Sequence, residues 1–158
     1  MNFTHLDDQG RAKMVDISDK EVTLRQAIAG GEVHCNPETV RRIAEQKIKK
    51  GDVLAVARVA GIMATKKTPE LIPLCHGISV NSVEIEIKLD VENGIIEVEA
   101  LAVTEGKTGV EMEALVGVSG TCLCIYDMCK AIDKDMVIDN IRLLKKSGGR
   151  SGEYVRAE

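Results

Sequence analysis

The chain has 158 residues, enough for one domain with a proper core and no covalent staples. With no Trp, one Phe and two Tyr, that core must be built from Val, Ile, Leu, Ala and Met, and stacking platforms for single-stranded nucleic acid are lacking. A net charge of -4 and a pI near 5.5 leave no footprint for duplex binding, although a local basic patch for a small anion stays open.

Residues 1–11 are polar and expected to be flexible. Val15-Asp16-Ile17-Ser18 and then Glu21 to Cys35 read as extended, the second stretch punctuated by Gly30-Gly31. Asn36-Pro37-Glu38 starts a helix, with Asn as cap, Pro at the first helical position and an acid in the first turn. Val40, Ile43, Ala44 and Ile48 share one side of it, and it is expected to end near Lys49-Lys50-Gly51. Asp52 caps a second helix, Val53 to about Lys66, apolar nearly all round and therefore expected to be buried in the domain or between subunits.

Thr68 to Pro73 turns into Leu74-Cys75-His76. Val83, Ile85, Ile87 and Leu89 then alternate with charged residues, the pattern of a half-exposed strand. Glu92-Asn93-Gly94 supplies a hairpin turn, and Ile95 to Val103 returns as the partner strand. Val110 to Ile132 forms the long helix, in which Gly117 and Gly120 either allow close approach or weaken it. Met136 to Leu144 is a last strand, followed by a basic, glycine-rich tail over residues 145–158. Mixed helices and antiparallel strands indicate an α+β domain, and no linker or repeat divides residues 1–158.

Five cysteines, Cys35, Cys75, Cys122, Cys124 and Cys129, are an odd number at irregular spacing, which fits neither a disulfide framework nor a C-x-x-C metal pair. The last three fall in one helical pattern and read as small apolar residues. A polar N-terminus and the lack of an apolar run of membrane-spanning length predict a cytoplasmic protein with no membrane or nucleic-acid partner.

The chemistry-bearing residues stand out by their settings. Asp127 and Lys130 lie three apart on a stripe of the long helix, among Ile125, Met128, Cys129 and Ile132, which are expected to bury it. They are either an ordinary surface pair or an acid and base put to use. His76 sits in an apolar loop, as a structural group or as one that titrates near neutrality. Lys50 and Lys66 lie at helix ends, where cations meet the macrodipole. Arg58, inside the most apolar helix, calls for an acid or an anion. Glu105 to Gly109 lacks Walker spacing, yet its glycines can expose N–H groups where the long helix begins. Glu111 and Glu113 follow in the first turn, and Lys146 opens a tail that is either frayed or a phosphate clamp.

Glu113 and Asp127 are fourteen residues apart, about 21 Å on a continuous helix. They share a small-molecule site only if the helix breaks at its glycines or two subunits contribute. With the apolar second helix, this points to a site between subunits.

These blocks together resemble the cyclic pyranopterin monophosphate synthase family of molybdenum cofactor biosynthesis, from Met14-Val15-Asp16 to Ser151-Gly152. The most specific are Lys50-Gly51-Asp52-Val53, Leu71-Ile72-Pro73-Leu74-Cys75-His76, Thr108 to Leu115, Ile125-Tyr126-Asp127-Met128-Cys129-Lys130-Ala131 and Lys146-Ser147-Gly148-Gly149. The resemblance implies a ferredoxin-like antiparallel sheet with helices packed on one face, assembled as a homohexamer, a trimer of dimers. It implies a lyase that converts 3′,8-cyclo-7,8-dihydroguanosine 5′-triphosphate to cyclic pyranopterin monophosphate and pyrophosphate. Asp127 is then the catalytic acid/base and Lys130 its companion. Leu74, Cys75, His76, Met112 and Glu113 bind substrate, completed by Lys50, Lys66, Glu111, Lys146 and Arg25. No cofactor is required; Mg²⁺ is a candidate companion of the triphosphate, although the sequence shows no dedicated metal cage. Two rival readings are a nucleotide-binding regulatory domain of ferredoxin-like fold and a cysteine-ligated metal protein.

Overall fold

The computed structural model describes residues 7 and 9–157. Of the stretch expected to be flexible, residues 1–6 and 8 lie outside those described. Asp7 closes a turn, its carboxylate accepting from the N–H groups of Gln9 and Arg11 and from Arg11 Nε. Val15 to Ile17 forms no strand, and residues 18–20 turn, with Asp16 Oδ1 accepting from Ser18 N–H and Oγ.

The elements run β1 (Thr23–His34), α1 (Pro37–Ala44), α2 (Val53–Thr65), α3 (Thr68–Leu71), β2 (Ser82–Asp90), β3 (Ile95–Gly106), α4 (Glu111–Cys129), β4 (Val137–Ser147) and β5 (Tyr154–Val155). The sheet is antiparallel with order β2-β3-β1-β4-β5. Apart from the short β5, this is the split βαβ arrangement of the ferredoxin-like fold, its first crossover broken into three helices. The chain is α+β as expected, with α2 on β2 and α4 across β1, β3 and β4.

Local chemistry explains most element ends. Asn36 Oδ1 accepts from Glu38 N–H at the start of α1, and Asp52 Oδ1 from Ala55 N–H at the start of α2, so both anticipated caps form. The β2–β3 turn is tied by Asp90, which accepts from Asn93 N–H and Nδ2, with Gly94 at φ +70°. The end of α1 differs from expectation. It stops at Ala44 rather than near Lys49, because Gln46 takes a left-handed conformation at φ 54°. Gln46 N–H then donates to Ile43 and Lys47 N–H to Arg42, a Schellman closure made without glycine. The tail also differs: β4 runs on to Ser147 and residues 154–155 pair back onto it, so part of the expected tail is sheet.

The core is aliphatic, as composition requires: Val33, Val40, Ile85, Ile96, Val98, Val118 and Ile125 are buried with a layer of alanines. The two long helices meet through their smallest residues. A Cβ on Gly61 would strike Thr121 Oγ1 and stand 2.9 Å from Gly117 O; one on Gly120 would stand 2.5 Å from Ala64 Cβ. Gly31 gives the same closeness to the sheet, since a Cβ there would meet Val118 Cγ1 at 2.7 Å. The glycines therefore allow close approach without breaking α4, which is continuous over 19 residues.

Exposure within the chain refines two expectations. The second helix is not buried all round within the domain: Val56, Val59 and Met63 form an exposed apolar stripe, which leaves burial between subunits as the alternative. Among the described residues Arg58 forms no ion pair; its Nε donates to the Ile85 carbonyl at 3.1 Å. Among the described residues α4 alone is long and apolar enough to cross a bilayer, contrary to the reading of the sequence, but more than half of it is buried inside the fold. Its composition reflects its place as the core helix.

Gly61→Ala should lower the unfolding free energy by about 1–3 kcal/mol, because the methyl must push α2 from α4. Denaturant melts of the two proteins measure it; an unchanged midpoint would mean the helices separate freely.

Candidate active site

The α2–α4 pair is antiparallel, as Thr65 Oγ1 reaching the Glu113 carbonyl at one end and Gly61 facing Thr121 further along show. This sorts the candidate residues into two groups at opposite ends of α4.

At the N-terminal end stand Glu111, Met112 and Glu113, with the half-buried Leu74, Cys75 and His76 and the exposed Lys66 at the end of α2. Glu111 forms an ion pair with Lys146 of β4 at 3.0 Å. A Cβ on Gly109 would strike the Glu111 carboxylate, so this side chain, and no outside anion, fills the glycine loop. Glu113 is only 1% exposed, and neither carboxylate oxygen has a hydrogen-bond partner among the described residues. Burial pushes its pKa up, its own backbone N–H pulls it down and Glu111 raises it further. Burial likewise raises the Cys75 thiol, helped by the charges of Glu113 and Glu111.

The segment before β1 is fastened over this end. His76 Nε2 lies 2.8 Å from the Val15 carbonyl, which makes that nitrogen the donor and leaves Nδ1 free. Lys107 Nζ donates to the Ser18 carbonyl at 2.6 Å. Beside it lies an open cavity of about 410 Å³, lined by Lys20, Glu21, Thr23, Arg25, Gly149, Arg150 and Ser151. Arg25 is anchored through Nε to the Gly106 carbonyl. Gly149, at φ +73°, lets the chain pass directly over its guanidinium. Thr23 Oγ1 is buried and has no hydrogen-bond partner among the described residues. Lys146 Nζ, besides Glu111, meets Ser151 Oγ at 2.9 Å. Reading the sequence did not single out Lys20 or Thr23, because a lysine in a polar turn looks like solvated surface and a strand threonine carries no local signal, and it weighed Arg150 only as part of the basic tail.

At the other end of α4, Asp127 lies between two lysines. Lys130 Nζ donates to Oδ1 at 2.6 Å, and Lys50 Nζ donates to Oδ2 at 3.0 Å and to the Asp127 backbone carbonyl at 2.7 Å. The Lys130 hydrogen bond, then that of Lys50, holds the Asp127 carboxyl below the usual carboxylate range, and Asp127 in turn raises Lys130. The group is not seated on a buried face: Asp127 and Lys130 side chains are 57% and 53% exposed, and Ile132, expected to help bury them, is exposed as well. Ile125, Met128 and Cys129 do pack inward. Lys50 arrives from the loop after α1.

The cysteines pack as apolar groups. Desolvation pushes Cys122 up to about 12 and Cys129 to about 11. Among the described residues no three His, Cys, Asp or Glu side chains come together as a metal cage.

A sequence profile described as the MoaC family matches residues 14–149. The cyclic pyranopterin monophosphate synthase of Thermoanaerobacter sp. (strain X514) is 58% identical over 156 residues, 99% of each chain. Those of Clostridium acetobutylicum and Roseiflexus sp. (strain RS-1) are 55% and 56% identical over 154 residues, 98% of this chain and 96% and 98% of theirs. The chain belongs to the MoaC family.

Glu113→Gln should stabilise the protein increasingly as pH rises from about 4.5 toward neutrality. A folded-state pKa raised above the unfolded value means that the stability present at low pH is lost as the buried carboxyl ionises, and an amide has no such loss. The gain should approach about 2 kcal/mol in denaturant unfolding. A difference between the two proteins that stays flat with pH would show the carboxylate to be compensated.

Proposed function

We propose that this chain, as a member of the MoaC family, is a cyclic pyranopterin monophosphate synthase, a lyase of molybdenum cofactor biosynthesis. Its substrate on this reading is 3′,8-cyclo-7,8-dihydroguanosine 5′-triphosphate, supplied by a radical enzyme, and its products are cyclic pyranopterin monophosphate and pyrophosphate. The observation that carries the reading is the pairing of a cationic cavity at one end of α4 with an Asp–Lys–Lys group at the other. A regulatory nucleotide-binding domain would need the cavity but not the second group.

The chemistry requires protons to move between ring nitrogens and carbons while the purine is opened and rebuilt. Asp127, kept anionic, is the proton acceptor, and the Lys130 ammonium, hydrogen-bonded to it, is the donor. Ring closure on the α-phosphorus expels pyrophosphate, whose charge can be neutralised by Lys20, Arg25 and Arg150 of the cavity, with Lys146 bonded to Ser151 and Lys66 at the end of α2. Glu113 and Thr23 bring buried polar atoms that a bound ligand can satisfy. The reading assigns no resident cofactor; a Mg²⁺ ion would come with the triphosphate.

The two ends of α4 cannot serve one small molecule within a single chain. Glu113 and Asp127 are about 21 Å apart along an unbroken helix, so a complete site takes one end from each of two subunits. The exposed stripe of Val56, Val59 and Met63, with Leu123 of α4 also exposed, supplies apolar surface of the kind that subunits cover. A cytoplasmic homohexamer of paired subunits is the assembly we adopt.

Asp127→Asn should reduce turnover by at least about 100-fold in a folded, assembled protein, because shape is kept and proton transfer is lost. Turnover is read as pyrophosphate release and pterin fluorescence after oxidation. Mixing Asp127→Asn with Lys146→Ala subunits after dissociation and reassembly should restore activity, since some mixed sites then carry neither substitution. A mixture as inactive as its components would place both residues in the same chain's site.

A further inference from the structure

We propose that Asp133 is a positioning residue for the acid–base group, holding the last turn of α4 so that Lys130 stays against Asp127. This rests on the reading of Asp127 and Lys130 given above. Asp133 Oδ2 accepts from Asn36 N–H at 2.7 Å and from Thr39 Oγ1 at 3.0 Å, both in the first turn of α1. Thr39 is buried, and the carboxylate lies at the positive end of a helix, which favours an anion there. The tie therefore joins the end of one helix to the start of another, across more than ninety residues of sequence.

The loop that Asp133 pins is already closed on itself. Lys130 N–H donates to the Tyr126 carbonyl, and the N–H groups of Ile132 and Asp133 both donate to the Cys129 carbonyl. Tyr126 Oη reaches the Lys134 carbonyl at 3.2 Å. Lys130 sits inside this loop, so a shift of the loop moves its ammonium relative to Asp127. An exposed lysine–carboxylate pair has little tendency to hold its own geometry, because two flexible side chains must be ordered in water. The order has to come from the backbone, and Asp133 supplies an anchor for it. The same short helix controls the second lysine: past its Schellman end, the chain leads to Lys50, which grips Asp127 from the other side. α1 thus acts as a bracket, with Asp133 bound at its start and Lys50 delivered beyond its end.

The test compares Asp133→Ala, Asp133→Asn and Thr39→Val by steady-state kinetics, with folding and assembly checked by thermal melting and sizing. Asp133→Ala should lower kcat by about tenfold or more with KM within about twofold, since geometry at the reacting group is lost and phosphate binding at the far end of α4 is not. Asp133→Asn keeps an oxygen acceptor for both donors and should recover most of kcat. A folded, assembled Asp133→Ala protein with wild-type kcat, or with a loss confined to KM, overturns the proposal. If Asp133→Ala does not fold, Thr39→Val decides, because it deletes one of the two bonds at nearly constant shape. A kcat reduced about threefold supports the tie, and an unchanged kcat refutes it. Asp127→Asn, measured alongside, separates the readings: if that variant is active, the catalytic assignment has failed irrespective of Asp133.

Discussion

The contact between α2 and α4 through Gly61, Gly117 and Gly120 determines where the charged groups of this protein end up. Side chains at these points would force the helices apart and loosen the layer over the sheet. Without them the backbones approach closely, and Thr65 and Thr121 are buried between them with hydroxyls bonded to carbonyls of the preceding turn. The cost of glycine inside a helix is offset by packing along α4, which stays continuous over its full length. A continuous helix of this length keeps the groups at its two ends apart, and the proposed shared site follows from that distance.

The two ends also differ in electrostatic character for physical reasons. At the start of α4 the acids fit the macrodipole, yet only Glu111 has a cation; Glu113 is buried and is pushed toward its neutral form. Near the end of α4 the dipole disfavours an acid, and Asp127 remains anionic because two ammonium groups bond it. One of them, Lys50, also bonds the Asp127 carbonyl, a C-terminal peptide oxygen without a helical partner. On the proposed reading the second end supplies a proton acceptor and a nearby donor, and the first holds a polyanion beside a buried carboxyl group.

In the proposed function, assembly connects the two. The exposed stripe on α2 is apolar at positions where an isolated domain would carry polar residues, and its burial against another subunit is the step that would bring opposite helix ends together. The strands contribute through their edges: β1 carries Arg25 and Thr23 to the rim, and β4 carries Lys146 there by pairing with Ala27. The catalytic dependence on assembly would then arise from distance alone, with no conformational switch.

By itself the sequence determined the α+β class, the starts of α1 and α2, the β2–β3 hairpin and the long core helix. Each of these depends on a cap, a turn dipeptide or a periodicity contained within a few residues. It also placed the family's motif residues in order, including Asp127 with Lys130. It did not show the early end of α1, because Gln46 adopts a conformation for which glycine would have been the signal. It misjudged the setting of Asp127, since helical periodicity tells which residues share a stripe but not which stripe the rest of the fold covers. The pairing of Lys50 with Asp127 spans 77 residues, and the gathering of Lys20, Arg25 and Arg150 needs both ends of the chain on one rim of the sheet. Only the tertiary structure decided these, because they depend on how β1, α1 and α4 pack together, and no local pattern of residues records the sum of those contacts.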